Sequence, residues 1–295
     1  MQTESVQAFI AVCDLGSFQA AADALYLTQP AVSKRVSNLE DRLGHTLFDR
    51  VGRGATLTEA GRAYLPHARE LVAVVADGNR ALDSLGNRVA GPLTLALSHH
   101  VSLHRMPSVL RAYIKHYPDV HPEINFADSE AACECVVKGE CELAVITLPT
   151  TPHPILIEKT VWDDPMQIFV SDEHALAGTP PATLADLAQH PAVLPPTASY
   201  TRAIIDRTLS AHDVALEARM ESHYLETLRM LAGIGLGWTV LPSAMSHRDL
   251  IGLSFDGVEM TRRLGVVYHP RRRLSNAALA LLALLGDVPK PPGAY

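Results

Sequence analysis

The stretch SFQAAADALYLTQPAVSKRVSNLEDRLGHTLFDRVGRGATLT, residues 17–58, decides the fold of the N-terminal part of the chain. Ser17 is a natural N-cap for a short helix over 18–25, and Thr28 can cap a longer one over 29–43. A tight turn joins these two helices, as in a helix-turn-helix unit. After the second helix, a basic turn flanked by glycines leads into β-forming residues, which predicts a small β-wing.

The helix predicted over 29–43 has two chemically different faces, because residues three and four apart share one side of a helix. Short hydrogen-bonding side chains beside a lysine suit close approach to a DNA major groove, whereas a solvated surface helix more often carries long Glu and Lys side chains. We therefore predict that the polar face meets DNA. The apolar stripe consists of Val32, Val36, Leu39 and Leu43, and the polar face of Pro30, Ser33, Lys34, Ser37 and Asn38.

The predicted wing carries two arginines, Arg50 and Arg53, at a glycine-flexible tip. Such a tip beside a helix-turn-helix fits contact with DNA phosphates or with the minor groove. Residues 1–58 contain five basic side chains against six acidic ones, which counts against DNA binding. The basic residues concentrate in the second helix of the pair and in the wing, so their placement favours the hypothesis.

Over roughly its first 65 residues the chain resembles the LysR-type transcriptional regulators. The matching residues include Gly16-Ser17-Phe18, the run TQPAVS at 28–33, Leu47-Phe48-Asp49-Arg50 and the run LTEAG at 57–61. The resemblance implies a winged helix-turn-helix that binds DNA as a dimer, then a long linker helix and a two-lobed α/β effector domain similar to periplasmic solute-binding proteins. By this resemblance, the positions that face the DNA are Thr28, Gln29, Pro30, Ser33 and Lys34, with Arg35 nearby. Arg50 lies on the predicted wing, and Arg53 stands at the position of the wing arginine.

From Thr58 onward, apolar residues recur at alternating spacings of four and three, the seam of a coiled coil that pairs two copies. A helix packed against its own effector domain is the alternative. The expected domains are a winged helix-turn-helix at 1–58, a linker and dimerisation helix at 59–90, and an effector-binding domain at 91–295, with lobe I at about 91–161 and 266–288 and lobe II at about 162–265. The predicted dimerisation residues are Tyr64, Ala68, Leu71, Val75, Leu82 and Leu85, with Gly78 in the same seam.

The rest of the chain alternates strand-like runs with helical segments, which predicts mostly parallel α/β layers. The predicted strands lie at 93–97, 124–127, 143–146, 166–170, 214–218, 238–241 and 264–268. The predicted helices lie at 102–116, 129–138, 183–189, 201–212, 223–233 and 275–286.

An effector pocket is expected beyond the carboxyl ends of these strands, where helix N-termini attract anions. Each candidate residue is alternatively only a helix cap. Hydroxyls, imidazoles and helix N-termini, with Arg105 or Arg202 as charge partner, suit a small polar metabolite, a carboxylate above all. The candidate effector-binding residues are Ser98, His99, His100, Ser102, Thr147, Thr197, Ser199, Tyr200, Thr201 and Tyr224.

Four cysteines in 295 residues do not make a disulfide framework, so we expect free thiols in a reducing compartment. A thiol-based redox-sensing regulator, using Cys133, Cys135 and Cys141, is one alternative function. A solute-binding sensor with little DNA-binding role is the other.

Other classes of function find little support in the sequence. No catalytic motif is present, and the neighbouring histidines show no recognised metal-ligand spacing, so we expect no enzyme, no cofactor and no metal. No apolar run approaches the roughly 20 residues that cross a bilayer, and no export signal begins the chain, so the cytoplasm is expected. The expected partners are double-stranded promoter DNA, a small-molecule effector and further copies of the chain as dimer and tetramer. RNA polymerase stays open, and no membrane is expected.

Overall fold

The computed structural model of the chain describes residues 3–51, 54–83, 86, 88–178, 183–214 and 217–286. The chain divides into two compact units, residues 1–85 and 86–295. Within the described residues, no helix combines the length and the apolar character that spanning a bilayer requires.

The first unit consists of three helices, a two-stranded wing and a long helix, and its second and third helices, wing and long helix follow the prediction. The Ser17 hydroxyl accepts a hydrogen bond from the backbone N–H of Ala20 at 3.4 Å and so caps the second helix. Thr28 takes the N-cap position of the third helix, but its side chain makes no capping hydrogen bond there. The elements are α1 (Thr3–Leu15), α2 (Phe18–Ala24), α3 (Gln29–Leu43), β1 (Phe48–Val51), β2 (Gly54–Leu57) and α4 (Glu59–Asp83).

The core of this unit corrects two of the predicted dimerisation residues. Ala68 is fully buried, and the Tyr64 ring packs on Phe9 with centroids 5.6 Å apart. Both therefore belong to the core of their own subunit, because α1 packs on that side of α4. Leu43 is also exposed rather than part of the apolar stripe, since α3 ends immediately after it at Gly44.

The second unit alternates strands with helices, beginning at a strand that follows the linker. Its elements in chain order are β3 (Gly91–Ser98), α5 (His99–His104), α6 (Met106–His116), β4 (Val120–Ala127), α7 (Ser129–Lys138), β5 (Leu143–Thr147), β6 (Ile157–Ser171), α8 (Leu184–Leu187), β7 (Ala192–Leu194), α9 (Tyr200–Ser210), β8 (Ala218–Glu221), α10 (Leu225–Gly233), β9 (Thr239–Pro242), β10 (Leu250–Leu253), β11 (Met260–Tyr268) and α11 (Asn276–Gly286).

One seven-stranded sheet runs through both lobes in the order β10-β6-β11-β5-β3-β4, with β9 also paired to β6. The expectation of a mostly parallel arrangement is wrong. β3 pairs in parallel with β4 and β5, but β6 is antiparallel to β9, β10 and β11, and β11 is antiparallel to β5. The reason is that β6 and β11 pass between the lobes in opposite directions.

Each lobe has its own apolar core, and the two crossover strands contribute to both. Trp162 of β6 and Leu264 of β11 lie in the core of the first lobe, among β3, β5, α6 and α11. Met166 and Met260 of the same strands lie in the core of the second lobe, around the fully buried Trp238. The lobes therefore share a continuous backbone sheet but not a continuous core.

Several elements differ from their predicted bounds. The helix expected over 102–116 is split into α5 and α6, since Pro107 in the first turn of α6 has no N–H to continue the earlier helix. The strand expected over 214–218 begins only at Ala218, and Val214 precedes it outside any strand. The three-residue β7 and four-residue β10 were not predicted, because such short runs carry little periodicity.

Gly61 lies where α4 meets the wing, with no room for a side chain. A Cβ there would run into the Leu47 carbonyl and the Leu57 side chain. We expect Gly61→Ala to lower the free energy of unfolding by about 1–3 kcal/mol, measured by urea denaturation at one fixed protein concentration. Gly78→Ala on the same helix is the control, because a Cβ there meets nothing within 4 Å and should stabilise by about 0.5–1 kcal/mol. Equal stabilities for the two variants would contradict this packing.

Candidate functional site

The polar face of α3 is open to solvent. Thr28, Pro30 and Lys34 are exposed, and Gln29 and Ser33 are half-buried. The Gln29 side-chain amide donates a hydrogen bond to the Ser33 hydroxyl at 3.1 Å, one turn further along the helix. These five predicted DNA-binding residues therefore form one continuous surface with a single cationic side chain.

The predicted arginines of the DNA-binding set have different placements. Arg35 forms an ion pair with Glu4 of α1 at 3.0 Å, so its guanidinium already has a partner within the first unit. Arg50 lies in β1, but its side chain is outside the described part of the chain, and so is all of Arg53. Tyr26, in the turn between α2 and α3, is 96% exposed in a left-handed conformation at φ 55°.

Of the remaining predicted dimerisation residues, Leu71, Val75 and Leu82 lie between the middle and the C-terminal end of α4. Val75 and Leu82 are exposed, and so is Val74 beside them, whereas Leu71 is half-buried. Leu85 lies outside the described residues. The C-terminal half of α4 thus carries an exposed apolar surface.

A cleft between the two lobes of the second unit encloses about 460 Å³ of empty space, part of it open to solvent. It lies at the carboxyl ends of β3, β4 and β5, where parallel strands deliver their following residues to one edge. The second lobe contributes the N-terminal ends of α9 and α10. Six of the predicted effector residues line it: Ser98, His99, His100, Thr147, Ser199 and Thr201.

Four predicted effector residues do not line the cleft. Ser102 donates its hydroxyl to the His99 carbonyl at 2.6 Å within α5. Thr197 is exposed, Tyr200 packs partly against the core formed by α7 and β5, and Tyr224 is half exposed. Sequence reasoning missed seven residues that do line it: Asp128, Ser129, Glu130, Pro195, His223, Leu225 and Arg262.

Arg262 forms a charged floor in the cleft. Its Nε donates to the Asp164 carboxylate at 2.6 Å, and only 2% of each side chain is exposed. Arg105 donates to the other oxygen of Asp164 at 2.8 Å. Nη1 of Arg262 lies 3.5 Å from the Thr201 hydroxyl, and Nη2 has no hydrogen-bond partner within the described ranges. Two guanidiniums therefore share one carboxylate, and Arg262 Nη2 and Arg105 Nε are both buried without a hydrogen-bond partner among the described residues.

The Asp164 carboxyl stays ionised at this floor. Burial by itself would raise its pKa, but the Arg262 and Arg105 guanidiniums together outweigh burial and hold the pKa of Asp164 below its ordinary value. The Ser98 hydroxyl, buried at the end of β3, also has no hydrogen-bond partner among the residues described. A buried hydroxyl and a buried guanidinium N–H group beside the cleft therefore both lack a hydrogen-bond partner among the described residues.

Arg202, predicted as a charge partner for the effector, is engaged elsewhere. It donates to Asp206 at 2.7 Å, to Glu221 at 3.2 Å and to the Pro195 carbonyl at 3.1 Å. Arg262, and not Arg202, lines the cleft. The signal for it was an arginine at an inward position of a strand, between the buried Met260 and Leu264.

Histidine–carboxylate pairs connect the two lobes beside the cleft. His104 Nε2 lies 2.9 Å from Glu226 Oε1, and His99 Nδ1 lies 3.4 Å from Oε2. His223 pairs across the cleft with Asp128 at 3.2 Å. The neighbouring His100 imidazole, and then His104, hold the pKa of Glu226 well below its usual range, whereas burial lowers the pKa of His100 itself.

The cysteines do not all behave as free thiols. The sulfurs of Cys135 and Cys141 are joined, with Cα atoms 5.5 Å apart, which corrects the expectation that all four are unpaired. Cys13 and Cys133 are free. Burial raises the pKa of Cys13 to about 12 and that of Cys133 to about 11.

Comparisons with known proteins cover both units. Residues 3–62 match the family model described as "Bacterial regulatory helix-turn-helix protein, lysR family", and residues 86–290 match "LysR substrate binding domain". A "Probable RuBisCO transcriptional regulator" from Gracilaria tenuistipitata var. liui is 29% identical over 278 residues, covering 91% of this chain and 90% of that protein. An "Uncharacterized HTH-type transcriptional regulator in ibpB-leuC intergenic region" from Azotobacter vinelandii is 55% identical over 107 residues, covering 36% and 74%.

Solved structures share the fold over nearly the whole chain. A full-length OxyR variant from Pseudomonas aeruginosa superimposes with a TM-score of 0.68 at 19% identity, covering 97% of this chain and 94% of that one. CbnR complexed with its target DNA superimposes with a TM-score of 0.64 at 19% identity, covering 97% and 98%. At these identities the likeness concerns the fold alone.

The raised thiol pKa values predict slow alkylation of Cys13 and Cys133. A thiol whose pKa is about 11 or 12 is almost entirely protonated at pH 8, and the protonated form is the poor nucleophile. Mass spectrometry after brief treatment of the reduced native protein with iodoacetamide should find both residues unmodified. The same treatment in denaturant should modify both. Rapid modification in the native protein would contradict the described burial.

Proposed function

Because the chain belongs to the LysR family of transcriptional regulators, we propose that it binds promoter DNA through α3 and the wing, and that a small organic anion in the cleft between its lobes controls this activity. The family membership accounts for a DNA-binding unit followed by an effector-binding unit. The single observation that carries the effector class is the floor of the cleft, where Arg262 Nη2 and Ser98 Oγ are buried without partners.

An anion suits the cleft because the carboxylates that line it already accept hydrogen bonds from protein groups. Asp128 faces His223, and Glu130 accepts a hydrogen bond from the Tyr200 backbone N–H. Asp164 accepts hydrogen bonds from two arginines, so an anion that enters the cleft meets a guanidinium with an unused N–H donor. A carboxylate accepts such a donor strongly, and the small volume of the cleft fits a small metabolite.

The DNA-binding part of the proposal rests on the exposed face of α3. Lys34 supplies the charge that attracts phosphate, and Ser33 and Gln29 supply short hydrogen-bonding groups on the same surface. Thr28 and Pro30 lie at the start of the helix, the end that enters the groove in helix-turn-helix proteins.

We further propose an assembly and a location. Copies of the chain would pair through the exposed apolar half of α4, formed by Val74, Val75 and Leu82, first as a dimer and then as a tetramer. The proposed domain layout remains 1–58, 59–90 and 91–295. A promoter-binding role places the protein in the cytoplasm, leaves RNA polymerase as a candidate partner and requires no catalytic activity.

A thiol-based redox function is the second candidate, and one observation favours it. The Cys135–Cys141 link joins the last turn of α7 to the residues before β5, and the first residues of α7 line the cleft. Making or breaking that link would alter how α7 is held. A solute-binding sensor with little DNA-binding role is the remaining alternative.

Lys34→Ala should weaken DNA binding and its dependence on salt. Removing one cation that approaches the phosphates should make the slope of log affinity against log salt shallower by about one. The measurement is fluorescence anisotropy with a duplex that the protein selects from a random library. Lys115→Ala, an exposed cation on α6, is the control and should bind as the wild type does.

The same titration separates the alternatives. If Lys34→Ala and Lys115→Ala bind alike, α3 is not the DNA-facing helix as described. If no duplex is selected, the sensor without a DNA role is favoured. Equal wild-type affinities with and without dithiothreitol would count against redox control.

Ser98→Ala should weaken effector binding without weakening the fold. Its hydroxyl has no partner among the described residues, so its removal costs the unliganded protein little, whereas an anion would lose a hydrogen bond of about 1–1.5 kcal/mol, roughly a tenfold loss of affinity. Thermal shift with a panel of mono- and dicarboxylates is the measurement. Ser102→Ala is the control, because that hydroxyl is bound within α5. The pocket assignment fails if no carboxylate stabilises the protein, or if both variants respond equally.

A further inference from the structure

Two imidazoles and one carboxylate converge beside the cleft, and they come from different lobes. His100 and His104 are one turn apart on α5, with ring centroids 4.5 Å apart. Glu226 lies in the first turn of α10. One ligand atom from each of these three residues lies within 4.8 Å of the other two. The set has the donor count of a small metal site.

The distances between the ligand atoms of this cluster lie on either side of those expected between the ligand atoms of a bound metal ion. Glu226 Oε1 lies 2.9 Å from His104 Nε2 and 3.9 Å from His100 Nδ1. Ligand atoms at about 2.0–2.2 Å from one tetrahedral ion are about 3.3–3.5 Å from one another. Small side-chain rotations would therefore bring all three atoms to one ion.

The second observation is an unsatisfied buried atom. His100 is 9% exposed, and its Nδ1 has no hydrogen-bond partner within the described part of the chain, since Glu226 is too distant to accept one. Buried polar atoms are normally bonded. A cation at the centre of the cluster would give this nitrogen a partner.

The donor set indicates the class of ion. Imidazole and carboxylate together suit divalent first-row transition metals, among which Zn²⁺ takes these ligands with four-coordinate geometry. The side chains of His104 and Glu226 are 45% and 30% exposed, which leaves room for water as a fourth ligand. The nearby Arg262 guanidinium is opposed by Asp164 at 2.6 Å, which reduces its repulsion of a cation.

We propose that His100, His104 and Glu226 bind one divalent first-row transition metal ion that joins α5 of the first lobe to α10 of the second. The ion favours the arrangement in which the lobes approach each other, because only that arrangement supplies all three ligands. This proposal does not depend on the effector being an anion. No metal was expected from the spacing of the histidines, because Glu226 lies 122 residues beyond His104 in the chain.

Zn²⁺ titration of the tag-free, chelator-treated full chain tests the proposal. In competition with a chelating dye, the wild type should bind one Zn²⁺ per subunit at this site. His104→Ala, from the first lobe, and Glu226→Gln, from the second, should each weaken binding at least about tenfold. His247→Ala is the control, because His247 pairs with Asp249 at 3.1 Å on the surface and belongs to no such cluster.

X-ray absorption of the Zn²⁺ complex identifies the ligands independently. Nitrogen and oxygen at about 2.0–2.1 Å, without sulfur at about 2.3 Å, are expected. Circular dichroism in EDTA should be the same for all variants, since the substituted side chains are partly exposed. The proposal is overturned if Zn²⁺ does not bind, if sulfur ligates it, or if either His104→Ala or Glu226→Gln keeps wild-type affinity.

Discussion

A buried ion pair between the two crossover strands is the constraint on which the effector-binding unit depends. Arg262 of β11 and Asp164 of β6 are direct partners in the antiparallel register, and both are almost completely buried. Taking such charges out of water costs several kcal/mol for each ion, and only close pairing with good hydrogen bonds recovers it. The pair lies where both strands leave one lobe for the other, so its charges must be satisfied at the base of the cleft.

The position of this ion pair at the base of the cleft explains how one site can bind a ligand and also join the two lobes. Asp164 is bound twice, by Arg262 and Arg105, and the spare donor of Arg262 is left facing the cleft. The contacts between the lobes include histidine–carboxylate pairs and the hydrogen bond from the Tyr200 backbone N–H to Glu130, whereas each lobe has a separate apolar core. Polar contacts of this kind resist relative movement less than a shared core would. A ligand that contacts both sides therefore has an arrangement of lobes to select.

The sequence predicted those elements whose structure depends on interactions between residues close together in the chain. Helical spacing and N-cap residues predicted α2 and α3. Because neighbouring parallel strands end at the same edge of a sheet, the sequence also predicted that Ser98 and Thr147 lie at one edge. Arg262 could not be found in this way, because its role depends on the register of β6 and β11, which the packing of both lobes determines. Tyr64 and Ala68 fit the heptad spacing, but tertiary packing against α1 overrode that pattern.

A crystal structure of the full chain with the carboxylate that stabilises it most would test the central claim most directly. The account predicts an anionic oxygen within about 3 Å of both Arg262 Nη2 and Ser98 Oγ, with residues of the two lobes on either side of the ligand. A ligand bound outside the cleft would contradict the account. A cleft in which another group of the protein accepts the hydrogen bond from Arg262 Nη2 would also contradict it.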